Sequence, residues 1–203
     1  MDIERRIYTA TITVRAADTD QPARIAGYAA VFNSLSEDLG GFVERIEPGA
    51  FKAAVEVDDV RALINHDPNL ILGRTVAGTL RLSEDERGLR YEIDPPATQY
   101  AADLMVSLAR GDVDQSSFGF RVQEESWDIS GQIPVRIIRK VRLFDVSPVT
   151  FPAYPATTVS VRAVDLAKEL ASGGATGAGV EAQARAAGRL AWMRKTIQLE
   201  QAK

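Results

Sequence analysis

The sequence predicts a β-rich α+β fold followed by a helical tail, and three observations support this prediction. Between Arg6 and Arg162 of the 203-residue chain, short apolar or alternating runs recur and turn-forming residues separate them, as in successive strands. One segment, 98–110, instead repeats apolar residues at four-residue steps, which indicates a helix. After Arg162 the chain changes to small residues and then to a charged helical pattern, which is typical of a tethered tail.

The first predicted elements follow one another with short connections. Residues 7–16 alternate with period two, and residues 24–32 form a second, apolar run, so both are predicted strands. The segment 40–51 predicts a short strand that leads, through a Pro-Gly turn, into a short helix at about 49–57.

The next predicted strand is buried, lies within the segment 59–67 and ends at His66, where the turn-forming pair Asp67-Pro68 follows. Three later runs also predict strands, and the middle one is a hairpin that turns at its acidic centre. These runs are LILGRTV, GTLRLSEDERGLRYEIDPP and IPVRIIRKVRLFDVSPVTF.

The segment 98–110 is the one clear helix among these strands. Thr98 is a suitable N-cap, and Gly111 stands just beyond the last turn, where glycine commonly ends a helix. The apolar stripe of this helix contains Tyr100, Leu104 and Leu108.

Composition divides the chain into three parts. We expect a β-rich domain over 1–163, a flexible Gly/Ala linker region over 164–180 and a helical tail over 181–203. The linker contains the small-residue run SGGATGAG, and the tail carries a narrow apolar stripe among charged and amide residues. That stripe consists of Ala186, Leu190, Met193 and Ile197.

The composition also excludes several kinds of site and partner. The chain has no cysteine, which excludes disulfides, thiolate zinc sites and a cysteine nucleophile. His66 is the single histidine, which excludes multi-histidine metal sites, and we predict neither a metal nor a cofactor. The net charge of −4 gives no general attraction to nucleic acid or to anionic membranes. No apolar run reaches membrane-spanning length, and the alternating N-terminus does not resemble a signal peptide.

Three residues in separate segments carry the groups of a nucleophilic site. His66 stands where a strand meets a turn, Ser117 begins a strand, and Asp145 lies among apolar neighbours, where an unpaired carboxylate is costly. A serine nucleophile needs a base within hydrogen-bond reach, and an acid that fixes the tautomer assists that base. Because neighbours in a strand face opposite sides, at most one of Ser116 and Ser117 faces a site shared with His66.

Each of these residues also has a structural interpretation, which the residues alone leave open. His66 fits a half-buried histidine without a role, and Asp145 fits an ion pair with a nearby arginine such as Arg142. The two serines fit a turn in which Gly119 marks a bulge or permits the close approach of a backbone or a substrate.

Six segments, taken in their order and spacing, resemble the prohead serine proteases of tailed bacteriophages over about residues 24–162. The combination of an NHD…LGR segment, an SFGF segment and a VSPVTFPAYP segment is the most specific part of the resemblance. The six segments are GYAAVFN, ERIEPGAF, ALINHDPNLILGRT, GLRYEIDPP, GDVDQSSFGFRV and LFDVSPVTFPAYPAT.

The resemblance implies both a fold and a site. The implied fold is a closed or partly closed β-barrel with packed helices, similar to the herpesvirus assemblins. The motif histidine falls on His66, and the serine before FGF falls on Ser117. Herpesvirus enzymes have a second histidine as the third member, which this chain lacks, so an acid must take its place. Asp145 is the expected third residue and Asp67 is the rival, although a strand neighbour of His66 would point away from the imidazole unless Pro68 twists the chain.

The resemblance further implies a role. Such a protease acts in the host cytoplasm inside the immature capsid, or is encoded by a prophage. It removes the scaffolding portion of the capsid protein and trims itself. The expected partners are the major capsid protein precursor or a scaffold protein, with a homodimer expected by analogy to the herpesvirus enzymes. The alternative is a capsid-associated or scaffold-associated protein that keeps the fold without the chemistry.

Overall fold

A computed structural model of the chain describes residues 3–9, 12–15 and 23–150. The elements in these residues are β1 (Glu4–Thr9), β2 (Thr13–Arg15), β3 (Arg24–Val31), β4 (Val43–Ile46), α1 (Lys52–Val57), β5 (Arg61–Ile64), β6 (Asp67–Arg74), β7 (Leu80–Glu84), β8 (Gly88–Ile93), α2 (Gln99–Arg110), β9 (Gln115–Asp128) and β10 (Val135–Val149). The predicted linker and helical tail, 164–180 and 181–203, lie outside the described residues and stay predictions.

The strands of the described residues form two sheets. One has the order β1-β9-β10-β5-β6, with β4 also paired to β10, and the other has the order β2-β3-β8-β7. Most neighbours are antiparallel, whereas β10 pairs in parallel with both β4 and β5. The predicted β-rich fold with few helices is therefore confirmed. The described part of the chain shows two sheets rather than a closed barrel, so the barrel prediction is not confirmed.

The hydrophobic core receives side chains from both sheets. One face of β9 packs against this core, and the opposite face does not. Phe118 and Phe120 of β9 are buried in this core with their rings stacked at 4.6 Å, and Phe51 packs edge-on against Phe118. Because side chains alternate along a strand, Ser117 and Gly119 project from the opposite face of the sheet.

Two predicted strands have different boundaries in the structure. The run predicted as a single strand, 7–16, contains the second half of β1 and all of β2, and these two strands belong to different sheets. The alternation continues through both strands, so the pattern alone could not reveal the change of sheet. The strand over 24–32 and the hairpin of β7 and β8 are confirmed.

The predicted strand over 59–67 is too long at both ends, because β5 covers only Arg61–Ile64. Strand β5 ends at Ile64, and Asn65 and His66 form a two-residue turn with positive φ angles of 52° and 59°. Positive φ at both central residues is the geometry of a type I′ turn, one of the two common turns of two-residue hairpins. Asp67 then begins β6 and pairs with Ile64, so Asp67-Pro68 is not the turn.

The three prolines that follow Asp145 in the sequence, Pro148, Pro152 and Pro155, predict an interruption of sheet pairing, and this prediction is wrong for Pro148. Strand β10 continues to Val149, and Pro148 pairs with Ser116 of β9. Proline lacks only the backbone N–H, and the Pro148 carbonyl still accepts a hydrogen bond at 3.0 Å from the N–H of Asn65.

Both predicted helices are present. Helix α1 begins at Lys52, slightly later than predicted, and α2 ends at Arg110, followed by the C-cap Gly111 with a left-handed φ of 81°. Thr98 occupies the N-cap position of α2 without a side-chain cap hydrogen bond.

Residues 38–42 belong to a separate compact unit and form a turn, in which the Asp38 carboxylate accepts hydrogen bonds from two glycine N–H groups.

A buried network of charges fastens β1, the edge strand, to the rest of its sheet. Arg6 donates from Nε to Oε1 of Glu44 at 2.8 Å, and Glu44 is fully buried. Arg136 donates to Glu4 at 2.7 Å and to Glu44 at 3.1 Å. Burial acts to raise the pKa of Glu4, but the hydrogen bonds and charges of Arg136 and Arg6 outweigh it and lower that pKa. The ionised Glu4 therefore stabilises the fold above its usual pKa, and this contribution is lost as the pH falls through the lowered value.

Candidate active site

The turn that carries His66 is fastened to the end of β10. Asn65 donates its N–H to the Pro148 carbonyl, and its Oδ1 accepts hydrogen bonds from the N–H and Oγ1 of Thr150 at 2.9 and 3.2 Å. Asparagine tolerates the left-handed conformation better than most residues, which suits it to this position. With the turn held in this way, the imidazole of His66 reaches past β10 to the face of β9 that is turned away from the core.

The two adjacent serines of β9 have different partners on opposite faces of the sheet. Ser117 Oγ lies 2.6 Å from Nε2 of His66. Ser116 Oγ instead hydrogen-bonds the hydroxyl of Tyr91 at 2.8 Å, and burial raises the pKa of Tyr91, which keeps that hydroxyl protonated. Both serines are fully buried, so they differ in surroundings rather than in exposure.

Asp145 reaches the same face because β10 is irregular there. Leu143 pairs with Phe120 and Asp145 with Gly119, so Phe144 is an extra residue in β10, a β-bulge. The core residues are consequently Leu143 and Val146, three positions apart instead of two. The bulge shifts the alternation and turns Asp145 towards the face of Ser117.

The carboxylate of Asp145 completes a chain of contacts through the imidazole. Its Oδ1 lies 2.5 Å from Nδ1 of His66, while Nε2 of the same ring faces Ser117. The side chains of His66 and Asp145 are only 7% and 11% exposed. A hydroxyl, an imidazole and a carboxylate are thus brought together in a largely dry environment, where their electrostatic interactions are strong.

Gly119 makes room for this carboxylate. A Cβ atom added at Gly119 would clash with Oδ2 of Asp145 and would lie 3.2 Å from its Cγ. The expectation that Gly119 admits a substrate backbone stays a prediction, whereas the neighbour that the glycine faces in the structure is Asp145. The bulge predicted as one interpretation of Gly119 lies on the partner strand, at Phe144.

We expect Gly119→Ala to slow any reaction that begins at Ser117 Oγ and depends on the contact between Asp145 and His66 by about 10²-fold, because the added methyl displaces the carboxylate and small misplacements are that costly. The rate at which a fluorophosphonate probe labels the purified variant, with circular dichroism to verify folding, measures the effect. Gly131→Ala is the matched control, since a Cβ there meets only the Ile133 carbonyl, at an ordinary 3.6 Å. A folded Gly119→Ala protein that is labelled at the wild-type rate would contradict this prediction.

The rival acid and the candidate ion-pair partner of Asp145 both have other contacts in the structure. Asp67 uses its Oδ1 to accept hydrogen bonds from the N–H and side-chain amide of Asn69, both at 2.9 Å. Arg142, the candidate ion-pair partner of Asp145, instead lies over the ring of Phe144 at 5.4 Å. Among the described residues, the carboxylate that contacts the imidazole is that of Asp145.

Sequence reasoning missed one polar residue beside the site, Ser147. Its Oγ donates to Oδ1 of Asp145 at 2.9 Å and lies 3.4 Å from Nδ1 of His66. The signal that could have identified it is the two-residue spacing from Asp145, which places both side chains on one face of a strand.

The described ranges contain no group of three or more histidine, cysteine, aspartate or glutamate residues arranged to hold a metal ion. In the same residues, no helix combines the length and the apolar character needed to cross a membrane.

Comparison with known proteins places the chain in a family. No curated protein and no solved structure matches it. The family model described as caudovirus prohead serine protease matches residues 10–171, a range that contains His66, Ser117 and Asp145. This match covers most of the 203 residues and identifies the chain as a hydrolase of the serine protease class. The protein therefore belongs to the caudovirus prohead serine protease family, whose members mature phage capsids.

Proposed function

We propose that this protein is an active serine endopeptidase in which Ser117 is the nucleophile, His66 the general base and Asp145 the acid that holds the imidazole. The observation that carries the proposal is the continuous contact from Ser117 Oγ to His66 Nε2, at 2.6 Å, and from His66 Nδ1 to Asp145 Oδ1, at 2.5 Å. The first distance is within the reach that proton transfer from Ser117 to His66 requires, and the second places the carboxylate in direct contact with the ring.

The reaction follows from these roles. His66 accepts the Ser117 proton at Nε2 while Oγ attacks the peptide carbonyl and forms a tetrahedral intermediate. The imidazolium then gives this proton to the leaving amine, and the C–N bond breaks to leave an acyl-enzyme. Water, deprotonated by the same imidazole, hydrolyses the ester and restores Ser117. Asp145 fixes the proton on Nδ1 and stabilises the positive charge that forms on the ring.

The inactive alternative, a capsid-associated protein of the same fold, is not favoured. A chain without the chemistry would have no need to keep a carboxylate buried beside its histidine, since burying a charge is costly unless it is paired. Here Asp145 is buried, and its described partners are His66 and Ser147.

The substrate, location and remaining architecture are proposed from the family. The enzyme is packaged within the immature capsid in the host cytoplasm, cleaves the scaffolding portion of the capsid protein precursor and trims itself. Residues 1–163 form the protease domain with an assemblin-like, partly closed barrel. The linker 164–180 and the helical tail 181–203 recruit it to capsid or scaffold protein, and the enzyme acts as a homodimer.

A fluorophosphonate probe tests the proposed chemistry without knowledge of the substrate. An activated serine attacks phosphorus and expels fluoride, so the probe adds a fixed mass to Oγ. We expect labelling of Ser117 in the wild type and in Ser116→Ala, and none in Ser117→Ala or His66→Ala. A folded wild-type protein that takes no label, or takes it on another serine, contradicts the proposal. Co-expression with the phage's capsid precursor then identifies the substrate by the intact masses of its fragments.

A further inference from the structure

We propose that Ser147 is a positioning residue of this site: its hydroxyl fixes the Asp145 carboxylate and, through it, the tautomer of His66. This inference rests on the proposed function of the Ser117 site, although its central test does not depend on catalysis.

Ser147 is placed where it can act on both partners. It is fully buried, and it pairs with Ser117 across β9 and β10. Its hydroxyl donates to Oδ1 of Asp145 at 2.9 Å, the same oxygen that lies 2.5 Å from Nδ1 of His66. Two donors therefore converge on one carboxylate oxygen.

The position of Oδ2, the second oxygen of the Asp145 carboxylate, explains why the hydrogen bond from Ser147 is needed. Oδ2 of Asp145 lies over Gly119, where a side chain would clash with it. Gly119 leaves space for Oδ2 but offers no side-chain donor to hold it, so the hydroxyl of Ser147 supplies the directional restraint. Without that hydroxyl, rotation of the carboxylate would weaken its contact with Nδ1.

A fixed carboxylate selects the useful tautomer of the imidazole. Neutral histidine carries one proton, on either ring nitrogen, and the hydrogen bond of one nitrogen decides the state of the other. Only the form with the proton on Nδ1, towards Asp145, leaves Nε2 free to accept the Ser117 proton. A purely structural serine, which merely satisfies its own hydroxyl, would influence stability without changing this tautomer.

The single histidine of the chain makes the test direct. In protein labelled with heavy nitrogen in histidine only, the two ring-nitrogen signals belong to His66 and report where the proton resides. We expect the wild type to carry it on Nδ1 and Ser147→Ala to give a mixture of tautomers. With a peptide that the wild type cleaves, Ser147→Ala should lower kcat about tenfold, the factor that one ordinary hydrogen bond is worth, and leave KM unchanged.

Two matched controls separate the hydroxyl from packing. Ser116→Ala removes an equally buried hydroxyl on the opposite face and should keep the wild-type tautomer and kcat. The side chains introduced by Ser147→Thr and Ser147→Val have nearly the same shape as each other, but only the threonine carries a hydroxyl. Threonine should therefore preserve the tautomer and valine should not, even if the extra methyl lowers stability in both.

The outcomes are distinguishable. A folded Ser147→Ala or Ser147→Val protein that keeps the proton on Nδ1 overturns the positioning role, even if its activity falls. A wild type that cleaves no peptide and takes no fluorophosphonate label contradicts the proposed function, while the nitrogen spectra still decide the role of Ser147.

Discussion

Ser117→Ala is expected to abolish peptide cleavage, with kcat lowered by about 10⁶-fold, the loss that removal of a triad serine causes. The alanine has no oxygen to attack the carbonyl, and the remaining contacts of His66 and Asp145 cannot replace it. The Ser117 hydroxyl contacts the side chain of His66 and links no other element to β9 through a side-chain hydrogen bond in the described residues, so we expect the variant to fold. Incubating both proteins at high concentration and following their intact masses shows whether the wild type alone is truncated.

The adjacent serine supplies the control for this experiment. Ser116→Ala removes the same atom from an equally buried position but affects the hydrogen bond to Tyr91 instead of the imidazole. We expect it to lower stability by about 1–3 kcal/mol, because the buried tyrosine hydroxyl loses its partner, and to keep the cleavage rate of the folded enzyme. Loss of cleavage in Ser116→Ala, with activity retained in Ser117→Ala, would place the nucleophile one residue earlier.

Asp145→Asn is expected to lower kcat by about 10⁴-fold with little change in shape, as the equivalent substitution does in a Ser-His-Asp triad. The neutral amide no longer stabilises the imidazolium, and its NH₂ group, directed at Nδ1, favours the tautomer with the proton on Nε2. That nitrogen faces Ser117 at 2.6 Å and, once protonated, cannot accept the serine proton. Steady-state rates and the ring-nitrogen spectrum of His66 measure the two effects separately.

Asp67→Asn is the matched control for this prediction. The substitution is chemically the same and adjoins His66 in sequence, but Asp67 bonds to Asn69 rather than to the imidazole. We expect it to keep most of the activity. If Asp67→Asn proved inactive and Asp145→Asn active, the acid would have been assigned to the wrong residue.

The sequence predicts those residues of the site that stand out within their own segments. His66 and Ser117 stand in distinctive segments, and Asp145 was conspicuous as a charge among apolar neighbours. Ser147 has only its two-residue spacing from Asp145, which is a weak signal because a serine before a proline is common in turns. Its role becomes visible only when β9 and β10 are aligned and Ser147 is found opposite Ser117.

The bulge at Phe144 is a second feature that the sequence does not predict. A regular strand would put Asp145 on the same face as Leu143, in the core, and its side chain could not meet Ser117. The extra residue reverses that assignment, and nothing in the run LFDV identifies which residue is extra. The sequence also does not predict that the segment 7–16 is divided between two sheets, because a single alternating pattern runs through both strands.

The turn that carries His66 has a consequence for how this protein evolves. His66 occupies a left-handed position, with φ of 59°, where two-residue hairpins favour Asn-Gly. A side chain in this conformation costs about 1 kcal/mol relative to glycine, so the backbone of the turn alone would favour glycine. Glycine would also leave the buried Asp145 carboxylate without the imidazole that it contacts, and removing one partner of a buried pair costs about 3–5 kcal/mol. The turn and the carboxylate therefore act on position 66 in opposite directions. A lineage that no longer needs cleavage should lose His66 together with Asp145 rather than before it.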